Sequence, residues 1–386
     1  MALEQISNLL VNTLKKRNSI KKYDTYLVGY YGMQNSGDDA LLLASIIGAK
    51  TYLNSHSLLV SANTKIEFSG YEFDINPIRD SQLFKGQNRL NHYRGAMKSD
   101  RVIFGGGSVF HSSQDIQIKR HLMALTEPKK CMALGVGIGP FNDKQAEQQC
   151  QAFLNECGFV GVRDKASYEL AKQLAPEANV ELTFDLAPML ALSAESQIQR
   201  QEEGILINVC PVPKDALGHT NATEEQQLIE KMSEVIEQLW QQLQQPISLL
   251  SMNGHKQFGD DAICQALVEK FADKLPIKFI PYQANPFSMM NTIRNHQVFV
   301  SMRLHGLVFG YLTGTPVVAL NYHNKGKQWC EQVGLPIQQR FDAKNFSSHS
   351  LLNTLIQGVN FGFNEPVFAL NDAIAKSVLN WSNRYV

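Results

Sequence analysis

The chain has 386 residues, of which 44% are hydrophobic and 19% charged, and its formal net charge is zero. This length predicts two domains, because a single hydrophobic core rarely grows beyond about 250–300 residues. A neutral chain argues against non-specific binding to nucleic acid or to an anionic bilayer. Any anion site must therefore be built locally, from a few placed residues.

Residues 1–22 are predicted to form an N-terminal helical extension, because apolar residues recur at helical spacing from Leu3 to Leu14 and a basic cluster follows. Such a helix either packs on its own domain or makes a peripheral contact with a membrane surface. The segment lacks the basic start and apolar block of a signal peptide, and no apolar run reaches the ~18 residues of a membrane span. We therefore expect no membrane-spanning segment.

The six cysteines are scattered along the chain, without a C-x-x-C pair. This pattern favours unpaired, apolar thiols in a reducing compartment over a disulfide framework or a zinc site. We expect a cytoplasmic protein, free or at the inner face of the membrane.

Short β-branched runs alternate with helical patterns along nearly the whole chain. The first half contains predicted strands at 25–31, 57–63, 101–107, 129–139, 159–164 and 180–190, with a helix-like basic stretch at 81–99. The second half contains predicted strands at 205–212, 247–253, 277–282, 297–302 and 316–322. Alternation of this kind predicts right-handed crossovers and parallel sheets.

The predicted domains follow from a polar break in this alternation, "ALSAESQIQRQEEG" at 191–204. It separates an N-terminal Rossmann-like domain (23–192) from a C-terminal one (204–345), and helices over 346–386 either stay with the second domain or cross back to the first. Doubly wound sheets bind ligands outside the carboxyl ends of their strands, and two such domains offer a cleft between them.

The block "GYYGMQNSGDDALLL" follows the first predicted strand. Asp38 and Asp39 stand at the start of a helix, where carboxylates complement the helix dipole and would repel a phosphate. This favours a site for sugar hydroxyls or for acid–base chemistry. The structural alternative, which the residues leave open, is that Asp38 only caps the helix and Asn35 only orders the turn.

Two further strand ends carry candidate groups. In "FGGGSVFH" (104–111), Gly106, Gly107 and Ser108 offer backbone amides and a hydroxyl to a ligand, or else form a purely structural turn. In "GVRDKAS", Arg163 ends a strand and Asp164 is the predicted N-cap of the next helix. Arg163 either pairs with a carboxylate or binds a ligand.

Asp185, in the apolar segment "TFDLAPML", is open to two interpretations. Burial would raise its pKa if no donor met it. It could equally cap a loop.

The segment "SMRLHGLVFGYLTGTPVVALNYHNKGK" (301–327) places cationic or titratable groups after two successive apolar strands. Arg303 offers a fork for carboxylate or phosphate oxygens, His305 would lie at a helix N-terminus, and Lys325 adds a point charge. Parallel strands separated by one helix usually lie side by side, about 4.8 Å apart, so we expect the three groups to stand close together. The alternative is three solvated loop charges.

These blocks, together with "ALGVGIGP" (133–140), resemble the polysaccharide pyruvyl transferase family in their order and spacing over roughly residues 25–330. The resemblance implies two Rossmann-like doubly wound domains in the arrangement of GT-B glycosyltransferases. It also implies transfer of pyruvate from phosphoenolpyruvate to sugar hydroxyls as a ketal, in surface polysaccharides or their lipid-linked precursors.

By position, the family's donor-binding cations correspond to Arg163, Arg303 and Lys325, and its histidine corresponds to His305. Lys325 follows "NYHN", where the family has an aspartate and a proline, so this loop departs from the family pattern. Asn35 and Asp38 match the asparagine and aspartate of the first block.

On this basis we expect His305 to act as the general acid and Asp38 as the base, with Asp39 the less favoured candidate. Asn35, Asp39 and the 106–108 segment are expected on the acceptor side. The expected site uses no metal and no cofactor, with phosphoenolpyruvate as co-substrate. The alternatives are a nucleotide-sugar-dependent GT-B glycosyltransferase and a non-catalytic polysaccharide-binding protein.

Overall fold

The computed structural model describes residues 21–79, 81–193, 204–212, 222–271 and 273–382. The predicted N-terminal helix up to residue 20, and most of the predicted linker, lie outside these ranges. The chain divides into two compact units. The first takes its described residues from 21–33, 38–190 and 373–382, and the second takes them from 34–37 and 191–372.

The first unit is built on a seven-stranded parallel sheet with the order β3-β2-β1-β4-β5-β6-β7. Its strands are β1 (Tyr23–Tyr31), β2 (Leu58–Ala62), β3 (Asp74–Pro77), β4 (Ser99–Phe110), β5 (Met132–Ile138), β6 (Phe159–Val162) and β7 (Val180–Leu182). Its helices are α1 (Ser36–Tyr52), α2 (Gln87–Met97), α3 (Ser113–Ala124), α4 (Lys144–Glu156) and α5 (Lys165–Leu174). Central strands such as β5 are buried along their whole length, as expected for a sheet covered by helices on both faces.

The second unit repeats the pattern with a six-stranded parallel sheet of order β10-β9-β8-β11-β12-β13. Its strands are β8 (Ile205–Asn208), β9 (Ile247–Leu250), β10 (Ile277–Ile280), β11 (Val298–Ser301), β12 (Val317–Asn321) and β13 (Arg340–Asp342). Its helices are α6 (Ala222–Leu243), α7 (Asp261–Phe271), α8 (Pro286–Arg294), α9 (Leu304–Thr313), α10 (Asn324–Gln332) and α11 (Ser348–Phe361). The last helix, α12 (Leu370–Val378), begins in the second unit and belongs to the first from Ala373 onward. The strand order of both units is that of a Rossmann fold, which confirms the predicted fold class.

The C-terminal segment completes the first unit. Asn380 accepts hydrogen bonds from the Gly135 amide (2.8 Å) and the Thr183 hydroxyl (2.9 Å), and it donates to the Phe184 carbonyl (3.0 Å). Trp381 is fully buried beside it. This short segment therefore fastens the chain end to the strands of the first unit.

The triple-glycine block is not a loop after a strand, contrary to the prediction. Strand β4 runs through it to Phe110 and stays paired with β5, with Gly107 opposite Val136 and Phe110 opposite Ile138. Gly106 has a backbone φ of +66°, and a side chain there would overlap Leu41. Glycine is thus required by the backbone of an irregular strand, whatever else the segment does.

Other predicted bounds also need correction. The predicted strand at 180–190 is a strand only over Val180–Leu182, followed by a 3-10 helix over Ala187–Leu192. The helix-like stretch at 81–99 is helical only over Gln87–Met97. Edge strands β3 and β13 were not predicted, because they are short and partly exposed and lack an apolar run.

All six cysteines are buried and unpaired, which confirms that prediction. Within the described ranges, no helix has both the length and the apolar character needed to cross a bilayer.

Candidate functional site

The second unit has its topological switch point between β8 and β11, where the strand order reverses. Doubly wound sheets bind ligands at the carboxyl ends of the strands flanking such a point. Strand β8 ends at Asn208 and β11 at Ser301, and these two residues lie opposite each other. Arg303 and His305 follow immediately, so both predicted residues stand at the expected ligand position.

Arg303 is the N-cap residue of α9, and its guanidinium is largely engaged within the unit. The Nε and Nη2 atoms donate to Asp260 Oδ1 at 3.0 and 2.6 Å, and Nη2 also donates to the Phe258 carbonyl at 3.1 Å. Nη1 lies 3.4 Å from the Tyr322 hydroxyl. The Arg303 side chain is 21% exposed, and Nη1 is directed toward Tyr322, the residue that follows β12.

Asp260, which holds Arg303, was not predicted from the sequence. Its carboxylate is completely buried, and Oδ2 accepts hydrogen bonds from Asn208 Nδ2 (3.0 Å) and from the amides of Met252 (3.0 Å) and Asn253 (3.2 Å). Burial raises the pKa of Asp260, and the charge of Arg303 acts in the opposite direction. The sequence "GDDA" gave no means of telling this buried carboxylate from its neighbour Asp261.

Asn208 joins this network from the other side. Its side-chain oxygen accepts the Arg303 amide at 3.1 Å, while its Nδ2 reaches Asp260. Both backbone and side chain of Arg303 are therefore positioned by buried groups at the switch point. Such networks fix a geometry only when every member is satisfied, as these are.

Residues 34–37 belong to the second unit and pack on its 252–254 loop. The Ser36 amide donates to the Met252 carbonyl at 3.0 Å, and the Gly254 amide donates to the Gln34 carbonyl at 2.9 Å. Asn35 forms an isolated antiparallel bridge with Asn253. Its side chain accepts the Gly37 amide at 3.0 Å, so Asn35 orders the turn, and its role on the acceptor side stays a prediction.

His305 lies against this turn. A methyl group added at Gly37 would overlap the imidazole around Nδ1, so glycine is required there by close approach. The ring also lies near Phe309, with centroids 6.4 Å apart and the two planes tilted by 57°. The structure thus brings the Asn35 turn and His305 to the same loop that carries Asp260.

Lys325 lies in the first turn of α10, directly after β12. Strands β11 and β12 are hydrogen-bonded neighbours, as predicted. Tyr322, which Arg303 contacts, is three residues before Lys325, and burial raises the pKa of its hydroxyl. The donor-binding role of Lys325 stays a prediction.

In the first unit, Arg163 follows β6 and is paired with carboxylates. Its Nη1 lies 3.3 Å from Asp185 Oδ2, and its Nε lies 3.9 Å from Asp164 Oδ2. Asp164 caps α5 by accepting the Ser167 amide at 2.8 Å, which confirms that prediction. Asp185 also accepts the Ala187 amide at 3.0 Å, so donors meet this buried carboxylate.

Asp38 and Asp39 both lie in the first turn of α1. Asp39 is buried, whereas Asp38 is partly exposed. Burial raises the pKa values of Tyr30 and Tyr31, and the charge of Asp38 adds to this rise. The roles of Asp38, Asp39 and the 106–108 segment stay predictions.

Comparison with solved structures defines the class of protein. The chain is similar in fold to UDP-GlcNAc 2-epimerase from Methanocaldococcus jannaschii, with a TM-score of 0.61 and 9% identity over 93% of this chain and 100% of that one. It is also similar to UDP-GlcNAc 2-epimerase from Neisseria meningitidis, with a TM-score of 0.57 and 12% identity over 92% and 99% of the two chains. Identities this low show the fold alone, which is the GT-B-like pair of Rossmann-like domains.

The family is narrower than the fold. The chain belongs to the polysaccharide pyruvyl transferase family, whose profile matches residues 35–324. This range includes Asn35, Arg163, Arg303 and His305 and stops one residue before Lys325. The chain is also 24% identical to amylovoran biosynthesis protein AmsJ of Erwinia amylovora over 281 residues, which span 67% of this chain and 66% of that relative.

Proposed function

We propose that the protein transfers pyruvate from phosphoenolpyruvate to two hydroxyls of a saccharide, as a ketal, during synthesis of a surface polysaccharide. Family membership supports the transferase class, and the relative named for amylovoran biosynthesis supports a polysaccharide context. The observation that carries the proposal is the position of Arg303 and His305 at the switch point of the second unit. The buried, unpaired thiols are in keeping with a cytoplasmic site of action.

The donor carries a carboxylate and a phosphate on one small skeleton, so it needs several cations close together. We assign the partly exposed guanidinium of Arg303 and the ammonium of Lys325 to these anions. Arg303 is preorganised because Asp260 and Asn208 hold it before any ligand binds. Arg163 is retained as a residue predicted to bind the donor.

The proposed reaction needs an acid and no redox step. His305 gives a proton to the methylene carbon, which becomes a methyl group, and the adjacent carbon becomes electrophilic. A sugar hydroxyl bonds to that carbon and loses its proton to a base, for which Asp38 is retained as the predicted residue. Phosphate then leaves with the electrons of its C–O bond, and a second hydroxyl closes the ketal with loss of another proton.

A thermal-unfolding comparison tests the donor. A ligand that binds only the folded state at about 100 times its Kd stabilises it by ~2.7 kcal/mol. We expect phosphoenolpyruvate to raise the unfolding temperature and UDP-sugars at the same concentration not to. Stabilisation by UDP-sugars alone would instead support a nucleotide-sugar-dependent glycosyltransferase.

Product analysis tests the reaction itself. With a suitable saccharide, mass spectrometry should show a gain equal to one pyruvic acid less one water, with release of one phosphate per ketal. A phosphate release that leaves the saccharide mass unchanged would contradict transfer.

A further inference from the structure

The first unit contains a cavity of 310 Å³ that the proposed reaction does not explain. It lies beyond the carboxyl ends of β1, β2 and β3, between helices α2 and α3. This is the edge at which parallel sheets bind ligands, and the volume is at the lower end of the range for small-molecule sites, about 300–1,000 Å³. The cavity has room for one sugar ring and a substituent.

The charge of the lining is predominantly positive in a chain whose net charge is zero. Arg79, Arg89 and Lys119 face one carboxylate, Asp115, among the residues that line the cavity. Lys119 is 8% exposed, and its ion pair with Asp115 is long, at 3.7 Å. Burial lowers the pKa of Lys119, with Asp115 opposing, so a bound anion would relieve an existing electrostatic cost.

The remaining polar groups suit hydroxyls better than a second charge. Burial, with the nearby charge of Lys119, lowers the pKa of His92 to about 4, so its ring is neutral at pH 7. Its Nδ1 lies 3.0 Å from the Tyr26 hydroxyl. A neutral imidazole can donate to or accept from a sugar hydroxyl.

Tyr30 provides an aromatic surface at the cavity. Half of this residue is exposed (49%), and its hydroxyl donates to Asp115 at 2.9 Å, which fixes the ring. The backbone of Arg79 is fixed by Asn88, whose side chain accepts the Arg79 amide at 3.0 Å and donates to the Arg79 carbonyl at 2.7 Å. An aromatic face, hydroxyl-binding groups and a buried cation therefore meet in one preformed cavity.

We propose that this cavity binds the anionic group of an acidic saccharide, carboxylate or phosphate, with Lys119 and Arg89 on the anion and Tyr30 against the sugar ring. The ligand so defined is the acceptor or part of it, and that identification rests on the proposed function. The site would select acidic over neutral saccharides. It would do so without using the donor-binding residues of the second unit.

Calorimetric titration of the full chain tests the proposal with three matched probes: methyl glucuronide, glucose 1-phosphate and methyl glucoside. We expect at least one acidic probe to bind about tenfold more tightly than the neutral glucoside, equivalent to about 1.4 kcal/mol. Lys119→Met should abolish this difference while keeping the buried stem. The arm that binds shows whether carboxylate or phosphate is the preferred anion.

Two further variants test whether weaker binding reflects a lost contact or a loss of fold. Arg89→Gln should also weaken the acidic probe, whereas Lys130→Met, which removes an exposed charge on a surface ion pair, should not. Equal binding of acidic and neutral probes, or binding by none, would overturn the proposal. So would inorganic phosphate binding as tightly as glucose 1-phosphate, or phosphoenolpyruvate displacing the acidic sugar.

The two proposals fail separately. Loss of phosphoenolpyruvate binding would remove the proposed donor without affecting the saccharide titration, which contains no donor. Conversely, a chain that binds phosphoenolpyruvate but not an acidic sugar would keep its proposed reaction and lose this acceptor class.

Discussion

At the scale of single residues, His305 is held by its neighbours in a way that the sequence did not reveal. The motif placed it at a helix N-terminus, and the structure adds that its ring lies against Gly37. That contact depends on how the 34–37 turn packs on the 252–254 loop. A glycine next to paired carboxylates in sequence indicates a turn, but it cannot show which side chain will approach it.

His305→Ala should lower the rate of pyruvate transfer by about 10²–10⁴-fold, the usual contribution of a general acid. The affinity for phosphoenolpyruvate should change by less than about twofold, because arginine and lysine side chains are assigned to the donor. The rate is measured by acceptor-dependent phosphate release, and the affinity by calorimetry. Undiminished turnover would remove His305 from the mechanism.

Gly37→Ala provides a matched probe of the same ring. The added methyl would displace the imidazole, so the variant should be slow in a wild-type background. Combined with His305→Ala it should cause no further loss, since the displaced group is already absent. Additive losses in the double variant would show that Gly37 acts through something other than His305.

His92 predicts a specific pH dependence of stability. Its pKa is about 4 in the folded chain against 6.5 for an unperturbed histidine, because of burial and, to a smaller degree, Lys119. Between these values the unfolded state binds the proton and the folded state does not, so stability falls as the pH drops from 6.5 toward 4. The loss attributable to His92 is at most about 3 kcal/mol.

Urea unfolding of the wild type and His92→Gln at a series of pH values measures this term. Carboxylates titrate in both proteins, so the informative quantity is the difference between the two curves. The free energy of unfolding of the wild type, relative to that of His92→Gln, should decrease as the pH falls from 6.5 toward 4. Parallel curves would contradict the buried neutral state of His92.

At the scale of elements, the strands with continuous apolar runs could be predicted from the sequence. A strand whose conformation depends on contacts with other elements could not. The runs that became β5, β8 and β11 are buried on both faces. The glycine block of β4 looked like a loop, because glycine usually interrupts a strand. In the structure, pairing with β5 and the proximity of Leu41 determine its conformation instead.

The loop between β9 and α7 shows what the sequence could not supply. Asp260 holds Arg303 only because the chain after β9 folds back. The fold places the Asp260 carboxylate beside Asn208, at the carboxyl end of β8. No local pattern encodes a partner 43 residues away. The cations of the site were therefore predictable, but the groups that position them were not.

Asp260→Ala should destabilise the protein by about 3–5 kcal/mol, because it leaves the Arg303 charge partly buried and unpaired. Asp342→Ala is the control, since it breaks an exposed pair with Lys327 and one bond from the Lys344 amide, and it should cost at most about 2 kcal/mol. Urea midpoints of the two variants and the wild type give the comparison. Similar small losses in both variants would mean that Asp260 does not support the second unit.

At the scale of the whole molecule, a chain of zero net charge places small groups of cations at the strand ends where ligands are expected. Each unit is a Rossmann-like sheet with candidate groups at the carboxyl ends of its strands. In the second unit these are Arg303, His305 and Lys325, and in the first unit the cavity lined by Lys119 is a separate cationic region. Length and alternation predicted the two sheets, but composition could not predict where the charges gather.

The most direct measurement is a calorimetric titration of phosphoenolpyruvate into the wild type and two lysine variants of α10. Lys325→Gln should weaken binding by about tenfold or more, whereas Lys327→Gln should leave it unchanged, because Lys327 pairs with Asp342 at the surface. A wild-type protein that shows no saturable binding, or two variants that weaken it equally, would contradict a donor site at this end of the second sheet.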